Sequence, residues 1–282
     1  MSVIDELLQG SIDMHIHHGP DYRIERRVDA LQAARQAQEA GMRAIVLKSH
    51  AYPTTPVAYT VNQVIQNIAV LGSIALDFEV GGLNTHALEA SAKLGAKVVW
   101  MPTFSSANDM RKRNLDEEGI TIFDSEGKLL PVVAEILDIV KSYQMVLATG
   151  HLSVSEAFAL VDEASRRGLP KIVITHPLLD WLGAHLSLEE QCQMADKGAF
   201  IEHCFAITLP ATMRLDPNKI VEAVRAVGAE RCIMSTDLGQ AYNPAPAEGM
   251  RMMIGTMLKC GLTEKEMELM VKVNPAQLLD LD

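Results

Sequence analysis

Positive charge is scarce in this chain. Lys and Arg together number 25 against 36 Asp and Glu, a formal net charge of −11 over 282 residues. Nucleic-acid binders and polybasic membrane anchors both rest on clustered cations, so neither a nucleic acid nor a membrane is expected as a partner. Long apolar runs are missing too. No stretch approaches the roughly 20 apolar residues that span a bilayer. The opening MSVIDELLQG has Asp5 and Glu6 where a secretory leader has a basic start and an apolar run, and a cytoplasmic protein is expected. The four cysteines (Cys192, Cys204, Cys232, Cys260) are far apart and form no CxxC pair. That argues against a zinc finger or a disulfide framework and predicts reduced thiols. GxGxxG, P-loop, GxSxG and HExxH elements are also absent, so dinucleotide, nucleotide triphosphate, serine-hydrolase and zincin chemistries lack their motifs.

What the chain has is an ordinary globular composition, 48% hydrophobic and 22% charged, and a regular alternation. Short apolar runs at Ser11–Ile16, Ala44–Lys48, Ile74–Val80, Ala96–Met101, Met145–Thr149, Lys171–Thr175, Ala199–His203 and Arg231–Thr236 read as parallel strands covered on both faces. Amphipathic stretches lie between them, at Val28–Gly41, Thr85–Leu94, Val132–Ser142, Ser153–Arg167, Leu188–Lys197 and Pro217–Val227. Ser153 and Glu156 have capping-box spacing, and Gly41, Gly95, Gly168, Gly198 and Gly228 each stop a helix before the next strand. Eight βα units without a linker predict one domain over residues 1–282, a single (β/α)8 TIM barrel, with an open doubly wound sheet as the alternative. An insertion after the fourth strand, from Phe104 to Leu130, carries a hairpin turning at 124–127. It is either a surface elaboration or a wall over the site.

The polar residues fall at strand ends. The first strand runs DMHIHHG and places His15 and His17 two apart, on one face. The fifth ends at His151, the sixth at His176 and the eighth at Asp237. Barrels gather residues distant in sequence at the C-terminal ends of their strands. Four imidazoles and a carboxylate there suit one or two divalent ions, zinc first, with manganese, iron or nickel as alternatives.

With its HxH, the single histidines of ATGH and ITHP, the aspartate of STD and the closing VNPAQLLDL, nearly the whole chain resembles the amidohydrolase superfamily of metal-dependent hydrolases, most closely its phosphotriesterase-like branch. The resemblance implies that His15 and His17 hold the more buried metal, and His151 and His176 the more exposed one. Asp237 would bind metal and move the proton. Binuclear members usually carry a bridging carboxylated lysine or a glutamate, commonly at the end of the fourth strand. Here that strand ends VVWMPT, with neither. Lys48 (as a carboxylysine), Glu79, or no protein bridge at all are the readings left open.

The expected activity is hydrolysis of a small-molecule amide, lactone, ester or phosphoester by metal-activated water. Rival readings are a phosphoesterase of the histidinol-phosphatase type, a decarboxylase or isomerase of the superfamily, and a ligand-binding barrel without turnover. The phosphoesterase type closes with Asp-x-His, which 237–239 does not supply. His18, His50, His86 and His203 also follow strand ends and read as polar loop residues. Cys204 beside His203 is a weak thiol-nucleophile reading, because neighbours on a strand face opposite ways. Arg23, Arg26, Arg27, Arg111, Lys112 and Arg113 have the chemistry to hold a carboxylate or phosphate, although most are expected to face solvent. The 15 methionines crowd towards the C-terminus, where they fill gaps between helices and strands or build a homo-oligomer interface.

Overall fold

The computed structural model describes residues 2–281. Among them nine strands form two parallel sheets: β1 (Ile12–His17), β2 (Ala44–Lys48) and β3 (Ala69–Leu71), then β4 (Ser73–Ala75), β5 (Val98–Trp100), β6 (Val146–Ala148), β7 (Ile172–Ile174), β8 (Phe200–Cys204) and β9 (Cys232–Ser235). Strand order follows chain order in each sheet, as successive βα units dictate. Among the described residues no helix is long and apolar enough to cross a membrane.

The third expected strand is displaced. Phe78–Val80 is a turn of 3-10 helix, and the strand lies earlier, as β3 and β4 on either side of Gly72. A Cβ on Gly72 would stand 2.4 Å from the Thr55 Cα, so only glycine allows this close approach. β3 pairs with β2 and β4 with β5, and at the break side chains replace the ladder. Thr54 Oγ1 and Ser73 Oγ donate to the Leu47 carbonyl at 2.7 and 2.6 Å, while the Thr54 N–H donates to the Ser73 carbonyl at 2.9 Å. At the other edge, the Asp237 N–H donates to the His15 carbonyl at 2.8 Å and the His17 N–H to the Leu238 carbonyl at 2.7 Å.

Between the strands run helices whose apolar spacing turns one face inward. Helix Val154–Arg166 buries Ala157, Leu160, Val161 and Ala164, and its capping box is present as expected. Helix Pro217–Val227 matches its expected bounds, whereas helices Thr55–Val64 and Pro246–Lys259 were not anticipated. A large apolar cluster fills the space between strands and helices. A smaller one, with Ile12, Val46, Ala75, Trp100, Val146, Val173, Phe200 and Ile233, lines the strands' other face. Met250, Met253, Met257, Met267 and Met270 are buried in the large cluster, so these methionines pack helices.

Candidate active site

The first strand reaches the site through an irregularity. Ile12 belongs to the inner cluster and strand side chains alternate, so a regular strand would turn Met14 and Ile16 inward and His15 and His17 outward. The register between β1 and β2 slips between Asp13 and Ile16, where three steps on β1 match two on β2. This bulge holds one extra residue. Beyond it Ile16 joins the outer cluster, and His17 pairs in register with Lys48. The histidines consequently face inward.

All six residues expected at the site converge. Asp237 Oδ1 lies 3.2 Å from His15 Nε2 and 3.0 Å from His17 Nε2. Lys48 Nζ lies 2.9 Å from His15 Nε2 and 4.9 Å from the centre of the Trp100 ring. His151 and His176 turn Nε2 towards Nε2 at 3.2 Å, and the rings of His15 and His176 are 6.1 Å apart. A cleft opens over them, lined by His17, Lys48, His50, His151, His176 and Asp237. Two of these residues have left-handed backbone, His176 at φ 30° and Asp237 at φ 54°. Such conformations are costly outside glycine and concentrate at functional sites.

Two carboxylates that the sequence reading overlooked fix the imidazoles from behind. Glu202, buried on β8, lies 3.3 Å from His15 Nδ1. Asp109, on the helix Ala107–Lys112 inside the insertion, meets His151 Nδ1 at 2.5 Å and accepts from the Gly183 N–H at 2.9 Å. A carboxylate on Nδ1 keeps the proton there and leaves Nε2 with its lone pair pointing into the cleft. Glu202 had one visible signal, a charge inside the apolar run FIEHC. Asp109 had none, because its helix sits in a segment read only as a hairpin. That hairpin is reduced to a single antiparallel bridge between Phe123 and Leu129.

Burial sets the charge states. It drives the His17 and His176 pKa values far down, helped by Arg26 at His17 and by His151 at His176, so both rings are neutral, as ligands need to be. Burial alone would raise Asp237, but His15, the hydrogen bond from His17 and the neighbouring His176 together hold it well below the carboxylate range. The Lys48 ammonium is pushed down by burial, against the pull of Asp237, Glu202 and Asp77. His50, brought down to about 4 by burial, contacts Thr103 Oγ1 at 2.6 Å and Asp77 at 3.4 Å, and stacks on His17.

Other expected residues lie elsewhere. Glu79 is engaged by Arg23 and by the Tyr22 hydroxyl, which removes it as a bridging ligand. His86 is exposed on helix Thr85–Lys93, and His18 is occupied with the Gly19 carbonyl at 2.9 Å. His203 faces away from the site, buried with neither ring nitrogen partnered. Cys204 does face it, with Sγ 3.9 Å from His15 Nδ1. Ligand atoms of His15, Glu202 and Cys204 lie within 4.8 Å of one another, as do those of His15, His17 and Asp237. Burial and the charge of Glu202 raise the Cys204 thiol well above its ordinary value, so it stays protonated and inert. The second trio is the better donor set.

The profile of DUF6282, a family of unknown function, matches residues 10–202. The chain belongs to the DUF6282 family. The matched region of this DUF6282 protein includes His15, His17, Lys48, Asp109, His151, His176 and Glu202, and ends before Asp237. No curated protein sequence matches the chain significantly. Among solved structures it is similar to an amidohydrolase from Pseudomonas aeruginosa, at 14% identity and TM-score 0.67, covering 98% of each chain. It also resembles a probable dipeptidase from the same organism, at 12% identity and TM-score 0.69, over 98% of this chain and 96% of that one. A 2,6-dihydroxybenzoate decarboxylase from Rhizobium matches at 12% identity and TM-score 0.55, over 97% and 99%. These neighbours are amidohydrolase-superfamily proteins, and at such identities the likeness is one of fold. They do not single out the phosphotriesterase-like branch.

Proposed function

We propose that this DUF6282 protein is a metal-dependent hydrolase of small molecules, built as one (β/α)8 barrel over residues 1–282. The hydrogen bonds at both sheet edges support barrel closure. The observation that carries the functional reading is the pair of imidazoles, His15 and His151, each with Nδ1 on a buried carboxylate and Nε2 turned to the cleft. Imidazole nitrogens held towards one cleft by carboxylates behind them suit a cation.

His15, His17 and Asp237 would hold one divalent ion and His151 with His176 a second, zinc by first choice. Lys48, carboxylated by carbon dioxide, would stand between the two. Such ions supply Lewis acidity and lower the pKa of a water from about 15.7 towards 7. The rest falls to the chain. Asp237 Oδ1, shared between His15 and His17, orients the attacking water, takes up its proton and passes it to the leaving group. Glu202 and Asp109 keep His15 and His151 in one tautomer throughout. Phe104, Leu179 and Leu182 line the cleft and limit the water that reaches the reacting carbonyl or phosphoryl centre. Amides, lactones, esters and phosphoesters all fit this chemistry.

The test is elemental analysis of purified protein, followed by a panel of lactones, amides, esters and phosphoesters with a parallel assay for carbon dioxide release. One or two equivalents of metal are expected, with turnover that a chelator abolishes. His15→Ala with His17→Ala should strip most of the metal from a folded protein. Unchanged metal content in that double variant would overturn the reading, and carbon dioxide release without hydrolysis would replace hydrolysis by decarboxylation.

A further inference from the structure

We propose that Arg26 anchors a carboxylate of the substrate, so that the cleft serves small carboxylic acids; this rests on the cleft being the active site. The residue follows β1 on a segment pinned to the loop beyond Asp237. The Arg27 N–H donates to the Gly239 carbonyl at 2.8 Å, the Ala241 N–H donates to the Glu25 carbonyl at 3.0 Å, and Arg26 itself bridges to Gln240. The pinned backbone sets Arg26 into the cleft wall with His17, Asp237, Gln240 and Tyr242.

Its side chain is only 2% exposed. Nε and Nη2 both donate to Asp21 Oδ2, at 2.9 and 2.6 Å, which fixes the guanidinium plane. Nη1 is buried and has no partner. Buried donors are nearly always paired, so an orphan one invites an explanation. A guanidinium carries five N–H groups in a rigid fork. Asp21 occupies the edge made by Nε and Nη2, which leaves the end edge, Nη1 with the second N–H of Nη2. That edge has the spacing of the two oxygens of a carboxylate.

Neighbouring arginines are otherwise engaged: Arg23 with Glu79, and Arg27 with the Ala241 carbonyl at 3.0 Å. Lys48, the other cation lining the cleft, is turned to His15. Among the described residues lining the cleft, Arg26 is therefore the cation with donors to offer. Asp21 already offsets part of its charge, which favours a singly charged carboxylate over a phosphate dianion.

Benzoate and benzamide, alike in shape and different in charge, test this by calorimetric titration on protein whose metal content is measured in the same sample. Wild type should bind benzoate about tenfold more tightly than benzamide, the scale of a charge-assisted pair. Arg26→Gln should abolish that preference without changing metal content, and Arg26→Lys should retain part of it, since an ammonium grips one oxygen at a time. Four results would overturn the proposal: no preference in wild type, no benzoate binding in wild type, a preference that survives Arg26→Gln, or tighter binding of phenylphosphonate than of benzoate. If Arg26→Gln does not fold, an undiminished preference in Arg26→Lys overturns it equally. Protein without metal would sink the hydrolase reading alone. The benzoate–benzamide comparison needs no turnover and decides Arg26 by itself.

Discussion

Asp109 and His151 stand 42 residues apart in sequence, yet their side chains meet at 2.5 Å. The carboxylate comes from the insertion and the imidazole from the end of β6, so a segment outside the βα repeat sets the tautomer of a proposed ligand. Asp109→Ala should weaken metal binding about 10–100-fold, the usual effect of removing a hydrogen-bond partner behind a ligating histidine. Competition with a chromogenic chelator measures it. Unchanged affinity in the folded variant would reduce the contact to packing.

Lys48 is expected to carry a carbamate. Burial favours its neutral amine, and the neutral amine is the form that adds to carbon dioxide, releasing one proton. Protein equilibrated with 13C-bicarbonate should show a carbamate carbonyl resonance that Lys48→Arg lacks. Lys48→Ala should fall towards one metal per chain, and a short-chain carboxylic acid should partly restore activity. A metal-loaded crystal structure with an unmodified Lys48 turned away from the metals would end the idea.

Asp237→Asn keeps the shape of the side chain but cannot cycle a proton near neutrality. The expected loss in kcat is about 10²–10⁴-fold, the range for general acid–base catalysis, with KM much less affected. Metal content is checked in the same preparation. A fully metallated variant at the wild-type rate would remove Asp237 from proton transfer.

His203 predicts an acid-sensitive fold. Burial lowers its pKa to about 4, below the ordinary 6.5. Between those values the unfolded chain binds a proton that the folded chain refuses, so stability is complete above 6.5 and is lost as pH falls towards 4. At about pH 5 the cost is about 2 kcal/mol relative to neutral pH. His203→Leu should narrow the gap between urea unfolding free energies at neutral pH and at about pH 5 by roughly that amount. An unchanged gap would mean that His203 takes up its proton in the folded state.

The strand-end histidines and Asp237 were legible because parallel strands write themselves as apolar runs, and whatever polar residue ends a run stands at the site. Helix bounds were legible where caps are chemical, as at Ser153 and Pro217. The third strand was misplaced because ALDFEV continues the apolar run of Ser73–Ala75, while the chain leaves the sheet at Leu76 and Asp77 turns back to Thr103 and Ser105. Glu202 and Asp109 act through tertiary contact across long sequence separations, which no local pattern encodes. Glu79 and Lys48 could be told apart only by their partners: Arg23 for one, His15 for the other.

The bulge in β1 has an evolutionary consequence. HxH is read in sequence comparisons as a text, but here its meaning depends on a frame set one residue earlier. A relative one residue shorter between Asp13 and His15 needs no bulge to turn both imidazoles to the cleft, whereas one that keeps the length but pairs β1 regularly with β2 would still spell HxH with both rings in the helical layer among Leu and Ala side chains. Activity in this lineage would thus be lost by substitutions that smooth out the bulge and leave every recognisable motif intact. The pairing register of β1, not its motif, would separate working copies from silent ones.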